Sequence, residues 1–189
     1  MKAFDVLSVA ALLALQAVAG WQLAVAIAGG APVWLLGPSL VAAVLAADLV
    51  SGVVHWVGDR FFAESTPLVG RMLIRPFREH HADPLAITRH GFFELCGNNA
   101  AAVVVPMLLV VRGGGPGRDE AAFALHAFVL LFSLLVFATN QVHKWAHAPR
   151  AGALVRLLQA SGLILPPERH ARHHRGDFSQ AYCVTTGWL

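Results

Sequence analysis

Apolar residues along this chain fall into four long blocks, separated by short polar or glycine-rich breaks. Residues 4–28 are nearly all alanine, valine and leucine, interrupted by Asp5, Gln16 and Gln22. That length crosses a hydrocarbon core of about 30 Å at about 1.5 Å per residue. A cleavable signal peptide is the competing reading. Lys2 alone makes a weak basic start, and the apolar run is longer than such peptides carry. Gly29, Gly30 and Pro32 turn the chain into a second span at 33–57, with a kink or late start at Gly37-Pro38. The inner half of this span places Asp48, Ser51, His55 and Asp59 on one helical face at steps of three and four. Residues 58–91 are polar, basic and proline-punctuated, with a short amphipathic piece at 68–77. A third span covers 92–111, and Gly113 to Gly117 form a loop. The fourth covers 121–141, its helix able to run through His147 until Pro149 stops it. Residues 151–165 are amphipathic and suit the membrane interface.

Composition agrees with the spans. The 189 residues are 57% hydrophobic and 13% charged, with a mean hydropathy of +0.60, which excludes an ordinary soluble domain. The pattern predicts an all-α integral membrane protein: four transmembrane helices, a cytoplasmic histidine-rich cap and one interfacial helix. No linker divides 1–189, so a single membrane-embedded domain is expected. Cys96 and Cys183 have no metal-finger spacing and read as unpaired thiols. The net charge of +3 and pI near 9.4 suit a membrane surface better than nucleic acid, because the basic residues flank apolar spans. Twelve of the 14 Lys and Arg residues fall on one side if the N-terminus is cytoplasmic, leaving Arg112 and Arg118 outside, so the positive-inside rule fixes that orientation.

This topology gathers nine of the ten histidines at the cytoplasmic boundary. His55 ends the second span. His80, His81 and His90 follow it. His143 and His147 lie i, i+4 near the end of the fourth, and His170, His173 and His174 lie i, i+3 and i+4 in a basic segment that could equally be a lipid-binding tail if taken alone. His126 stands apart as a polar helix residue. Histidine is costly in lipid, and nine sharing one face point to metal. Nine imidazoles exceed one tetrahedral zinc, and no HExxH or paired-cysteine spacing is present. Imidazole suits iron and copper, and a pair of iron ions uses this inventory. Asp59, Glu79, Asp83, Glu94 and Glu168 are placed to accept imidazole N–H bonds or to balance nearby arginines. A metal pair at the headgroup level favours O2-dependent oxidation of a lipid with two external electrons, and histidine count does not separate desaturation from hydroxylation. A non-catalytic metal or haem membrane protein is the alternative of another class. It would place histidines in pairs within the spans.

Four blocks carry a resemblance. They are Asp48-Leu-Val-Ser51-Gly52-Val-Val-His55-Trp56, Arg75-Pro-Phe-Arg78-Glu79-His80-His81-Ala82-Asp83-Pro84 with Ala86-Ile-Thr-Arg89-His90, Asn140-Gln-Val-His143-Lys144-Trp145-Ala146-His147, and His170-Ala-Arg172-His173-His174 with Tyr182-Cys183-Val-Thr-Thr-Gly-Trp188-Leu189. In order and spacing these resemble the lipid desaturase domain of the plasmanylethanolamine desaturase family, and more distantly the plant-type phosphatidylglycerol acyl desaturases. The resemblance implies insertion of the vinyl ether double bond of a plasmalogen into an alkyl ether phospholipid. It also implies a His-ligated di-iron centre, for which the nine histidines are the candidate ligands, and a small electron carrier of cytochrome b5 or ferredoxin type. Some members carry a further histidine in the last block, and members usually continue past Gly-Trp-Leu.

Overall fold

The structure, a computed structural model, describes residues 2–189, the side chains of Met72 and Leu73 excepted. It is helical throughout, with no strand among the described residues. The long helices are α1 (Ala3–Ala28), α2 (Leu36–Arg60, entered through a 3-10 turn at Val33–Leu35), α5 (Phe92–Arg112) and α6 (Glu120–His147); short helices α3 (Arg75–Ala82) and α4 (Ala86–Arg89) lie between α2 and α5, and α7 (Ala153–Ala160) and α8 (Pro167–His173) follow α6. The four long helices are apolar and long enough to cross a membrane.

The chain forms two compact units. The first comprises residues up to Ala47 and Gly91–Ala138. Here α1 and α5 approach closely: a side chain at Gly97 would sit 2.7 Å from the Asp5 Cβ. The polar residues that interrupt its apolar runs turn inward and tie helix to helix, since in lipid such groups need partners. Gln16 donates to the Ser133 hydroxyl at 3.4 Å and Gln22 to the Val111 carbonyl at 2.9 Å. Asn99 reaches the Val136 carbonyl at 2.8 Å. His126 is buried, its Nε2 at 2.9 Å from the Ala19 carbonyl.

The second unit, Asp48–His90 with Thr139–Leu189, holds the histidine blocks. Its apolar centre is Val142, Ala146, Leu165 and Val184, flanked by Trp145 and Ile164. Differences from the sequence-based expectation concern element ends. A single π-helical turn at Gly70–Ile74 leads into α3, after Leu68 at φ +64° has broken the backbone. Pro76 in the first turn of α3 needs no N–H there. The amphipathic piece expected at 151–165 is helical only from Ala153 to Ala160, because Gly162 at φ +70° ends it and redirects the chain into α8. Cys96 and Cys183 are buried and form no disulfide among the described residues.

Candidate metal centre

Each histidine block arrives on its own element of the second unit. His55 and Asp59 lie one turn apart on α2, His80 and His81 at the end of α3, His143 and His147 one turn apart at the end of α6, and His170, His173 and His174 on and just after α8. The chemistry sorts them into two groups. His80, His143, His147, His170 and His174 form the first, and His55, Asp59, His81 and His173 the second, with the ligand atoms of each within 4.8 Å of one another. Neighbouring residues divide between them: His80 from His81 on α3, and His173 from His174 at the end of α8. The groups therefore lie side by side, with the His55 ring 5.9 Å from that of His143 and the His173 ring 5.5 Å from that of His174.

In the first group the Nε2 atoms of His143 and His170 are 2.8 Å apart, those of His170 and His174 3.1 Å, and those of His174 and His80 3.1 Å. A hydrogen bond across each contact needs one proton, and the His170 and His174 nitrogens each face two neighbours. One cation facing the lone pairs satisfies them together. Two nitrogens bound to one ion at about 2.1 Å and at right angles stand about 3.0 Å apart, which matches the observed separations. His147 Nε2 is buried without a hydrogen-bond partner in the same group.

In the second group the tautomers are fixed by the backbone. His173 Nδ1 donates to the Gln180 carbonyl at 2.8 Å and His55 Nδ1 to the Tyr182 carbonyl at 2.9 Å. A neutral ring protonated at Nδ1 has its lone pair on Nε2, so both rings present a ligand atom inward. His81 Nε2 lies 2.9 Å from His173 Nε2, and its ring stacks on Phe178 at 4.2 Å. Asp59 places its oxygens 3.4 to 3.6 Å from the Nε2 atoms of His173, His55 and His81. Both oxygens are buried and accept no hydrogen bond, and His55 Nε2 is likewise buried without a partner. A buried carboxylate facing three imidazole nitrogens with no donor is the donor set of a metal site.

Outside the spanning helices, burial pushes the imidazoles of His80, His81, His170 and His174 below their ordinary range, His80 to about 2 and His174 to about 3. Neighbouring imidazoles add to the fall, while at His81 the Asp59 carboxylate opposes it. Neutral rings at physiological pH are what metal ligation requires.

Eight of the nine sequence-predicted histidines come together. His90 is exposed and lies outside both groups, its carbonyl accepting the Lys144 ammonium at 2.7 Å. Asp59, read from the sequence as an imidazole acceptor, sits among the ligand atoms instead. Glu79 pairs with Arg75 and Asp83 with Arg89 at the surface. Glu168 is exposed, and Glu94 belongs to the first unit. Sequence reasoning missed the Gln180 and Tyr182 carbonyls, since a backbone acceptor leaves no trace in residue type.

The model of the lipid desaturase domain matches residues 44–189. Over 158 residues the chain is 46% identical to a plasmanylethanolamine desaturase of Myxococcus xanthus, covering 82% of this chain and 55% of that protein. It is 40% identical over 162 residues to plasmanylethanolamine desaturase 1 of Mus musculus, covering 84% and 59%. It is 36% identical over 143 residues to the chloroplastic fatty acid desaturase 4 of Arabidopsis thaliana, covering 75% and 42%. The chain thus spans little more than half the length of the first two of these curated relatives. No solved structure matches it.

Proposed function

Since the chain belongs to the lipid desaturase domain family, we propose that it is a membrane di-iron lipid desaturase that uses O2 and two external electrons to form the vinyl ether double bond of a plasmalogen from a plasmanyl (alkyl ether) phospholipid. The observation that carries this reading is the pair of adjoining imidazole groups at the ends of α2 and α6. Similarity to two proteins named plasmanylethanolamine desaturase supports the ether-lipid substrate.

His80, His143, His147, His170 and His174 would hold one iron, and His55, Asp59, His81 and His173 the other. Bound iron supplies what side chains cannot, the activation of O2 for hydrogen removal from an unactivated carbon. The residues supply the rest. Burial of His55, His143, His170 and His173 keeps water from the centre. Asp59 is the only anionic member of the two groups, so the centre keeps the positive charge that favours its re-reduction. The carbonyls of Gln180 and Tyr182 hold the ring protons of His173 and His55 on the outward nitrogen. The C–H bond beside an ether oxygen is weakened and lies just beneath the headgroup, the depth at which helix ends meet the interface. Electrons come from a small carrier protein of cytochrome b5 or ferredoxin type, and the positive-inside rule puts the N-terminus and the centre on the cytoplasmic side.

The test is reconstitution of the full chain in vesicles containing plasmanyl phospholipid, with iron, O2 and a reductant chain. Acid-labile vinyl ether should accumulate. A double bond placed only in acyl chains would instead assign acyl-lipid desaturation, the class to which the name of the Arabidopsis fatty acid desaturase points, and a hydroxylated product would assign hydroxylation.

A further inference from the structure

The rings of the second group are aimed by a segment that supplies no ligand. Residues 180–189 lie along α2, and the two carbonyls that hold His173 and His55 belong to Gln180 and Tyr182. Ala181, between them, has φ +56°, a left-handed conformation that is strained for a residue with a Cβ. The local chain does not favour this shape, so contacts further along must hold it. Ser51 accepts the Val184 N–H at 3.0 Å. Asp48 accepts four more: Thr186 and Gly187 N–H on Oδ1 at 2.7 and 3.0 Å, and Trp188 and Leu189 N–H on Oδ2 at 2.8 and 3.2 Å. Asp48 is fully buried in an apolar helix. A carboxylate there is costly unless every lone pair is met, and an acceptor-only group facing four donors meets that condition.

We propose that Asp48 is a positioning residue for the His55, Asp59, His81 and His173 group, acting through the 180–189 segment and touching neither metal nor substrate. The inference rests on the reading of the two groups as metal sites. Both rings anchored by this segment belong to the second group, so release of the segment should empty that group selectively.

The experiment is elemental analysis of iron per chain in the full-length protein purified in detergent. Wild type should carry two equivalents. D48N keeps the side-chain shape but turns an acceptor into an NH2 group facing N–H donors, and should retain one. S51A, which removes the Val184 acceptor and the hydroxyl's own bond to the Asp48 carbonyl but leaves the Asp48 carboxylate in place, should fall between one and two and decides the matter if D48N fails to insert. H126A, which removes a buried polar group of the other unit, should retain two. D48N carrying two equivalents, or losing both together, overturns the proposal, as does S51A at two when D48N is not recovered. Wild type with fewer than two overturns the paired-site reading itself, and the proposal with it.

Discussion

An imidazole binds metal only through an unprotonated nitrogen, and the two groups secure that nitrogen by different means. In the second group a carbonyl takes the proton of His55 and of His173. In the first, burial and ring packing have that role: the His80, His147 and His174 rings stand 4.5 to 4.8 Å apart. His143→Ala and His173→Ala should each abolish lipid product while leaving membrane insertion intact, and wild-type turnover in either would remove that residue from the ligand set. His90→Ala should keep both iron equivalents and most of the activity, checked by elemental analysis and product assay, because His90 lies outside both groups. At this scale the sequence was informative wherever chemistry resides in side chains. The i, i+4 spacings of His143 with His147 and of His170 with His174 announced shared faces, and the same spacing of His55 with Asp59 was available to mark that carboxylate as a ligand candidate. His90 shares the composition of the block around it and not its geometry, since it follows α4 and no helical periodicity links it to His80 and His81.

Elements turn these residues toward one another. On α8, steps of three and four put His170, His173 and His174 on one side, and each added residue rotates the downstream side chains by about 100°. Insertion of one alanine between Ala171 and Arg172 should therefore separate His170 from His173 and His174 and cost the protein iron in both groups; a full complement of two would contradict this account of α8. Along α2 the small residues matter as much as the polar ones. A side chain at Gly52 would collide with the Cys183 sulfur, and one at Gly58 would lie 2.7 Å from the Phe77 ring, which itself packs 5.0 Å from His55. Gly52→Val should destabilise the iron-loaded protein by roughly 1–3 kcal/mol through overpacking, read as a lowered thermal midpoint in detergent. The long helices were legible from apolar length alone. The segment from Gln180 to Leu189 was not, because its hold on α2 runs through backbone N–H and C=O groups that any sequence would carry.

For the molecule as a whole, apolar length and the Lys and Arg distribution bound the architecture, and the histidines identify the end at which chemistry is done. With Cys96 and Cys183 replaced, a cysteine at Arg150 should react with a membrane-impermeant reagent only from the cytoplasmic side and one at Arg118 only from the other; the reverse pattern would invert the topology. A haem protein is excluded or established by the visible spectrum of the purified chain, where a Soret band would defeat the paired-iron account. The division into two compact units was not legible, since α2 and α6 run unbroken past Ala47 and Ala138 and no change in composition marks either point. The most direct test of the central claim is the lipid profile, by mass spectrometry, of cells that make plasmanyl phospholipids but no plasmalogens, expressing either this chain or its His147→Ala variant. Ether lipids lighter by two hydrogens and acid-labile should appear with the wild-type chain and not with the variant. Their absence from cells with the membrane-inserted wild-type protein, or their equal presence with the variant, would contradict it.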